Sequence, residues 1–328
     1  MRRAAAKGAA IAAALICLAR SIHAQTHSPS IWEAAANPQW ADEDRLYRDV
    51  ESLVLAAEFQ RSFSPVWQEK LGEAMTELER RHADKATDVR LRFKFGQVAS
   101  LLRQEERAVP VLESALRDAP DHPAATYAYF ELGVCYAKAG RPEDEITVYD
   151  EYLRRQTHPG QRALAFSNRA EAQMLLGRLG AAISDYRASL RIEPENVLTH
   201  WGLAVALDRS ADVPGALAEA KIAITYDPLD QQLASPNVFF VPAYDRYWYE
   251  GLGAMAHAQQ IDDAATAILW WETAVAKWSE YVAVARADDP WLRLAKAHQS
   301  SCERQLEQAK KRAARSPKPR RPGGREAP

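Results

Sequence analysis

The sequence predicts an all-α fold built from short, paired helices. Apolar residues recur at intervals of three and four along most of the chain, which is the periodicity of helices that bury one face. Glycine and proline interrupt this pattern repeatedly, for example in AGRPED (139–144), LGRLG (176–180) and SADVPG (210–215). Because such residues end helices and begin tight turns, we expect each helix to be short and to pair with the next one.

Residues 1–24 predict a secretory signal peptide. Basic residues within the first seven positions precede the apolar run AAIAAALICLA (9–19), and Ala24 closes a cleavage site before Gln25. The run is too short to span a bilayer comfortably. We do not expect lipidation of Cys17, because the residue before it is not small. The expected location is therefore outside the cytoplasm, in a bacterial periplasm.

The charge is unevenly distributed along the chain. The formal net charge is −2, but residues 1–24 carry four basic residues and no acid, and residues 310–328 carry eight basic residues and one acid. The remainder, residues 25–309, therefore has a formal charge of −13. An acidic body with a basic C-terminus is not typical of a nucleic-acid-binding domain, so we expect no nucleic acid partner.

No pattern of residues predicts catalysis, a metal or a cofactor. The sequence lacks a Gly-rich phosphate loop, HExxH, GxSxG and any zinc-spaced Cys/His set. Outside the signal peptide, Cys135 and Cys302 lie far apart along the chain, whereas a disulfide needs Cα atoms within about 7 Å. We interpret both as small apolar core residues, and we expect a non-enzymatic protein without a metal.

Small residues recur at fixed intervals before a proline. An alanine or serine lies five residues before Pro120, Pro194 and Pro228, an alanine lies seven residues before that, and another small residue lies in the preceding helix. Small side chains at these places allow two antiparallel helices to pack closely, and the proline ends the second helix. The residues that we expect to make these contacts are Gly96, Ala108, Ala115, Gly133, Ala170, Ala182, Ser189, Ala204, Ala216 and Ala223.

This pattern, with a period of about 34 residues, resembles the tetratricopeptide repeat family. Residues 163–196 and 197–230 follow it without an insertion, and residues 126–159 carry a Leu-Gly-x-x-Tyr core that ends at Tyr136. Residues 89–122 match through Phe95 and the small residues named above. The resemblance implies four repeats over 89–230, arranged as a right-handed solenoid of helical hairpins with a helical cap at each end.

One repeat departs from the family pattern. In residues 126–159, Glu145 and Tyr152 occupy places where small residues are usual. We therefore expect the second helix of that repeat to pack more loosely than the others or to be displaced.

The two ends of the chain are assigned from helical periodicity. We expect an N-terminal helical cap over 25–88, with helices at 42–60 and 64–83. The region 231–313 is expected to hold a connector (231–245), a degenerate fifth repeat (246–279) and a C-terminal helix (291–313). Residues 314–328 are rich in Pro, Arg and Gly, so we expect a disordered basic tail there.

The resemblance implies that the first helix of each repeat lines a concave binding groove. Phe93, Phe130 and Trp201 occupy equivalent places on three first helices, so we predict a row of aromatic side chains that faces solvent. The alternative is that the array curls tightly and the row is core. The family's best-known carboxylate clamp uses Lys, Asn and Arg, of which only Asn168 is present. The predicted groove residues are Phe93, Gln97, Tyr127, Phe130, Val134, Ser167, Glu171, Trp201 and Val205.

The sequence thus predicts an exported scaffold or adaptor that binds a partner protein or peptide in an apolar concave groove. The alternative is a cell-envelope assembly factor that contacts glycan or a lipid surface through its basic tail and a C-terminal aromatic block. We define that block as FFVPAYDRYWY (239–249) with Trp270, Trp271, Trp278 and Tyr281. Much of the block is expected to cover the open end of the array, because terminal repeats must be shielded. The oligomeric state is not predicted.

The signal-peptide hypothesis makes a direct prediction. N-terminal sequencing of the exported protein should begin at or near Gln25, because the cleavage site follows Ala24. A mature protein that begins at Met1, or one acylated at Cys17, would contradict it.

Overall fold

The computed structural model describes residues 38–60, 66–235 and 238–315, and within these ranges it contains helices and no strand. The predicted signal peptide and residues 316–328 lie outside the described residues. The chain divides into two compact units, Met1–His158 and Pro159–Pro328. The division falls between the second and third predicted repeats.

The first unit contains three helical hairpins. Its helices pair in chain order, and a short 3₁₀ helix, Ala83–Lys85, lies between the first and second hairpins. The helices are α1 (Pro38–Gln60), α2 (Trp67–Arg80), α3 (Val89–Leu101), α4 (Glu105–Asp118), α5 (Ala125–Lys138) and α6 (Pro142–Arg155).

The described part of the second unit contains seven helices. The first four form two hairpins, an irregular connector (described residues 227–235 and 238–245) with a 3₁₀ helix at Ala243–Asp245 follows, and the last three pack in sequence against one another. The helices are α7 (Pro159–Leu175), α8 (Leu179–Ile192), α9 (Val197–Arg209), α10 (Val213–Tyr226), α11 (Arg246–Gln260), α12 (Ala264–Val284) and α13 (Leu292–Arg315). The predicted all-α, helical-hairpin class is confirmed.

The turns between paired helices use the residues that the sequence singled out. Gly140 and Gly177 have φ of 65° and 70°, a left-handed conformation that costs glycine little. Pro142 lies in the first turn of α6, where its missing N–H loses no hydrogen bond. Asn196 and Asp212 cap α9 and α10 by accepting hydrogen bonds from Thr199 N and Gly215 N.

Glycine permits the close approach of helices within the first two repeats. A Cβ atom at Gly96 of α3 would overlap the side chain of Leu112 of α4, and one at Gly133 of α5 would overlap the ring of Tyr149 of α6. Both glycines are buried. The other predicted packing residues have no exposed surface: Ala108, Ala115, Ala170, Ala182, Ser189, Ala204, Ala216 and Ala223.

The second helix of the repeat 126–159 does not pack loosely, contrary to the expectation from its larger residues. Glu145 and Tyr152 are each 2% exposed. The ring of Tyr152 packs on Phe130 with centroids 5.2 Å apart, so an aromatic pair fills the space that small residues leave in other repeats.

Both cysteines of the predicted mature chain are free and buried. Burial raises the pKa of Cys135 and of Cys302 to about 12, so neither is a reactive thiolate at neutral pH. Among the described residues, no group of His, Cys, Asp and Glu is placed to hold a metal ion. None of the described helices is long and apolar enough to cross a bilayer.

The close approach at Gly133 predicts a measurable loss of stability. Gly133→Ala should destabilise the protein by about 1–3 kcal/mol, because the new methyl group forces the buried ring of Tyr149 to move. Gly72 is the matched control in the same unit, since a Cβ there meets no atom within 4 Å. Gly72→Ala should be neutral or stabilising by up to about 1 kcal/mol. Urea unfolding followed by circular dichroism measures both, and equal effects would contradict the packing.

Candidate functional site

The structure does not expose the predicted aromatic row. Phe93 is 5% exposed and packs on His122 with ring centroids 5.6 Å apart, and Trp201 is 1% exposed. Gln97, Ser167 and Val205 are also buried. The expectation that these five positions face solvent is therefore wrong. Of the other predicted groove residues, Tyr127, Phe130 and Val134 are half-buried and Glu171 is exposed.

In the first unit, α1 covers the first helix of the first repeat. Residues 90–100 of α3 are buried on every face. Arg90 donates to Asp44 of α1 at 3.1 Å, and Lys94 forms an ion pair with Glu51 of α1. These buried cations are stable only because each one has a carboxylate partner. The predicted N-terminal cap therefore removes α3 from solvent.

In the second unit, α11 and α13 cover the end of α9. The carboxylate of Asp208 is fully buried and lies 2.9 Å from the indole nitrogen of Trp248 and 2.9 Å from Nε2 of His298. The next residue, Arg209, donates to Asp245 at 2.9 Å. These contacts join residues 36 to 90 positions apart in the sequence. Helical periodicity alone gives no sign of them.

Much of the C-terminal aromatic block is core. Trp248, Trp278 and Tyr281 have no exposed surface, and Trp248 packs edge-on against both other rings with centroids 5.1 Å apart. Among the aromatic side chains of the block, only Phe239 is more than 40% exposed, at 44%. The block therefore offers little surface to a glycan or a membrane.

A cavity of about 510 Å³ remains in the second unit. It lies between the connector and the helices α11 and α12, and Trp201 of α9 also lines it. Its volume is in the range of ligand pockets. The lining residues are Trp201, Asp230, Leu233, Ala234, Ser235, Val238, Phe240, Arg246, Tyr249, Glu250, Gly253, Ala254, His257, Trp270, Thr273 and Lys277.

The two cations of the cavity already have partners. Arg246 donates to Glu250 at 3.1 Å, and Lys277 lies 3.1 Å from the same carboxylate. Lys277 also donates to Glu280 at 3.0 Å. Neither cation is thus free to attract an anion to the cavity.

The carboxylate of Asp230 has no such partner. Its Oδ1 is buried and accepts no hydrogen bond within the described part of the chain. Burial raises the pKa of Asp230, and nearby Asp227 and Glu250 raise it further, while His257 lowers it. An unpaired buried acceptor costs about 1–3 kcal/mol, which a donor from a ligand would offset.

The imidazole of His257 does not neutralise Asp230 at neutral pH. Burial lowers the pKa of His257, so its ring is uncharged there. The ring stacks on Trp270, with centroids 4.1 Å apart and planes inclined by 12°. A second buried polar atom at the cavity, Nε1 of Trp201, also has no acceptor among the described residues. Two residues of the lining, Asp230 and Trp201, thus each carry a buried polar atom without a partner among the described residues.

Glu171 belongs to the same unit and is the one predicted groove residue that stays exposed. Its charge contributes to the raised pKa of Tyr249, which lines the cavity, although burial of the phenol is the larger cause.

Sequence reasoning missed Asp230, Arg246, Glu250, His257 and Lys277 as site residues. The connector that holds Asp230 has no helical period, so nothing in its sequence predicts which helices it packs against. The only signal was the concentration of aromatic residues at 239–249 and 270–271, part of which lines the cavity.

Burial of Trp201 predicts a structural role for that side chain. Trp201→Ala should destabilise the protein by about 3–5 kcal/mol, because it removes a fully buried ring. Leu269 of α12 is 61% exposed, so Leu269→Ala should change stability by less than about 0.5 kcal/mol. Urea unfolding of the two variants is the measurement. A Trp201→Ala protein as stable as the control would contradict burial of the ring and support the exposed groove predicted from the sequence.

Comparisons with known proteins identify the repeats. Residues 94–162 and residues 163–196 match two family models, both described as tetratricopeptide repeat. Comparison with curated proteins found no match.

Several solved structures share part of the helical architecture. "MamA MSR-1 C2" is 21% identical with a TM-score of 0.47, and the alignment covers 57% of this chain and 97% of that one. "MamA 41-end from Desulfovibrio magneticus RS-1" is 18% identical with a TM-score of 0.45, over 59% of this chain and 98% of that one. Similarity at this level carries no functional assignment. The family models thus recognise tetratricopeptide repeats over residues 94–196 of this chain.

Proposed function

We propose that this chain is a non-enzymatic scaffold that binds a protein partner, and that a segment of the partner enters the cavity of the second unit. The observation that carries the proposal is a cavity of about 510 Å³, lined by aromatic side chains and by the carboxyl group of Asp230, in a chain with tetratricopeptide repeats. Stacked helical repeats present extended surfaces that suit protein partners.

The lining of the cavity is typical of a site that holds a peptide segment. Aromatic side chains such as Phe240, Tyr249 and Trp270 provide apolar contact area, and a few polar groups fix orientation.

Burial of the aromatic row changes which predicted groove residues can contact a partner. In the first unit, the half-buried Tyr127, Phe130 and Val134 retain accessible surface. In the second unit, Glu171 does so. We propose these four as secondary contacts, and the cavity as the place where the partner is anchored.

The proposal includes export. The basic residues, apolar run and small cleavage-site residue of positions 1–24 support a signal peptide, and thus a partner in the periplasm.

Photo-cross-linking tests the proposal with adjacent positions as probe and control. Phe240 lines the cavity, whereas Phe239 is 44% exposed and does not. With p-benzoylphenylalanine at position 240, irradiation in the native envelope fraction should attach a specific protein, which excess unlabelled chain competes away. The same probe at position 239 should give a weaker or different product.

Two results would overturn the proposal. One is the absence of any cross-linked protein at position 240. The other is an identical set of products at positions 239 and 240, because that set would show contact outside the cavity.

A further inference from the structure

We propose that the cavity binds an arginine side chain of the partner, with Asp230 as the carboxylate that pairs with its guanidinium group. This inference rests on the proposed function, because it names the chemistry of the partner's anchor. Three observations support it: the balance of charge at the cavity, the aromatic residues beside Asp230, and a matching arrangement elsewhere in the same unit.

The charges at the cavity leave one carboxylate uncompensated. On α11, Arg246 pairs with Glu250, and on α12, Lys277 pairs with Glu250 and Glu280. On the connector, Asp230 has no partner for its buried oxygen, and Asp227 lies close enough to add negative potential. A cation is therefore the ligand that the vacant part of the cavity attracts.

The aromatic residues favour a guanidinium group over an ammonium group. The ring of Trp270 stacks on that of His257. Burial lowers the pKa of His257, and the nearby negative charge of Asp230 raises it in part. The carboxylate and the indole therefore belong to one region of the cavity. Phe240 and Tyr249 meet edge to face nearby, with centroids 5.1 Å apart. A planar guanidinium stacks on such rings and is desolvated more readily than the compact ammonium of lysine.

The second unit already contains one buried arginine in such surroundings. Arg209 pairs with Asp245 at 2.9 Å, and its guanidinium carbon lies 4.7 Å from the ring centroid of Trp248 and 5.2 Å from that of Trp291. The cavity offers a carboxylate, Asp230, and aromatic rings, while its own arginine, Arg246, is paired with Glu250. The partner would supply the missing side chain.

Binding of small probes to the full chain tests the inference. The probes are N-acetyl-L-arginine amide and N-acetyl-L-citrulline amide, which has nearly the same shape but no charge. The imidazole NMR signals of His257, assigned with the His257→Asn variant, report binding at the cavity. Arginine amide should shift them with an affinity at least about tenfold higher than that of citrulline amide.

Asp230→Asn is the decisive variant. Asp230 has φ of 50°, and asparagine adopts this left-handed conformation readily, so the substitution removes the charge with little backbone strain. It should weaken arginine amide binding at least about tenfold. The matched control is Asp262→Asn, an exposed aspartate of the same unit outside the cavity, which should leave binding unchanged.

Three outcomes overturn the inference. Equal binding of arginine amide and citrulline amide excludes charge recognition, and unchanged binding by Asp230→Asn excludes the named carboxylate. Tighter arginine amide binding after replacement of Lys318, Arg320, Arg321 and Arg325 by Gln would show that the chain's own tail occupies the cavity.

The tests of the inference and of the proposed function fail in different ways. If position 240 cross-links a partner but citrulline amide binds as well as arginine amide, the scaffold function is supported and the arginine anchor is excluded. If arginine amide binds through Asp230 but no protein cross-links at position 240, the protein-partner function falls, and with it the assignment of the arginine to a partner.

Discussion

The rest of this structure depends on the close contact between a glycine on one helix and a large side chain on a neighbouring helix. Within hairpins of the first unit, the side chain of Leu112 packs against Gly96 and the ring of Tyr149 packs against Gly133. In the second unit, a Cβ at Gly202 would lie 2.5 Å from the ring of Tyr186, and one at Gly251 would lie 2.7 Å from the ring of Trp278. Because protein interiors are close-packed, these contacts set the separation of the helices. Each following hairpin packs on a surface whose geometry they have fixed.

Tight stacking leaves the first helices with faces that must either meet solvent or be covered, and here two of them are covered. Helix α1 lies over α3 with its carboxylates on Arg90 and Lys94. At the end of α9, Asp208 is buried beneath Trp248 and His298. Each buried charge has a partner from a distant part of the chain, which compensates the cost of desolvation. The position that a simpler repeat array would use as a groove has thereby become core, and accessible concave space in the second unit is found beside the connector.

Pairing of charges also determines what that space can bind. Glu250 pairs with both Arg246 and Lys277, and Glu280 also pairs with Lys277, so positive charge at the cavity is neutralised within the fold. Asp230 lies on the connector. The two cations that line the cavity from the facing helices, Arg246 and Lys277, already have carboxylate partners. Buried carboxylates are stable when they are paired, as Asp245 is with Arg209. The buried oxygen of Asp230 has no such partner, and this is the carboxylate that the proposed arginine would pair with.

The sequence by itself determined the helices, their pairing and their repeat, since these depend on interactions between residues a few positions apart. Gly133 and Tyr149 are 16 residues apart in one helical hairpin, and the repeated pattern of small residues predicts that such hairpins pack closely. The exposure of Phe93 and Trp201 could not be read in this way, because whether a helix face is groove or core depends on which distant segment packs over it. The cavity could not be predicted either, because its lining joins Trp201, the connector and two later helices. Only the tertiary structure decides such placements, because side chains that share a cavity need not share a periodicity.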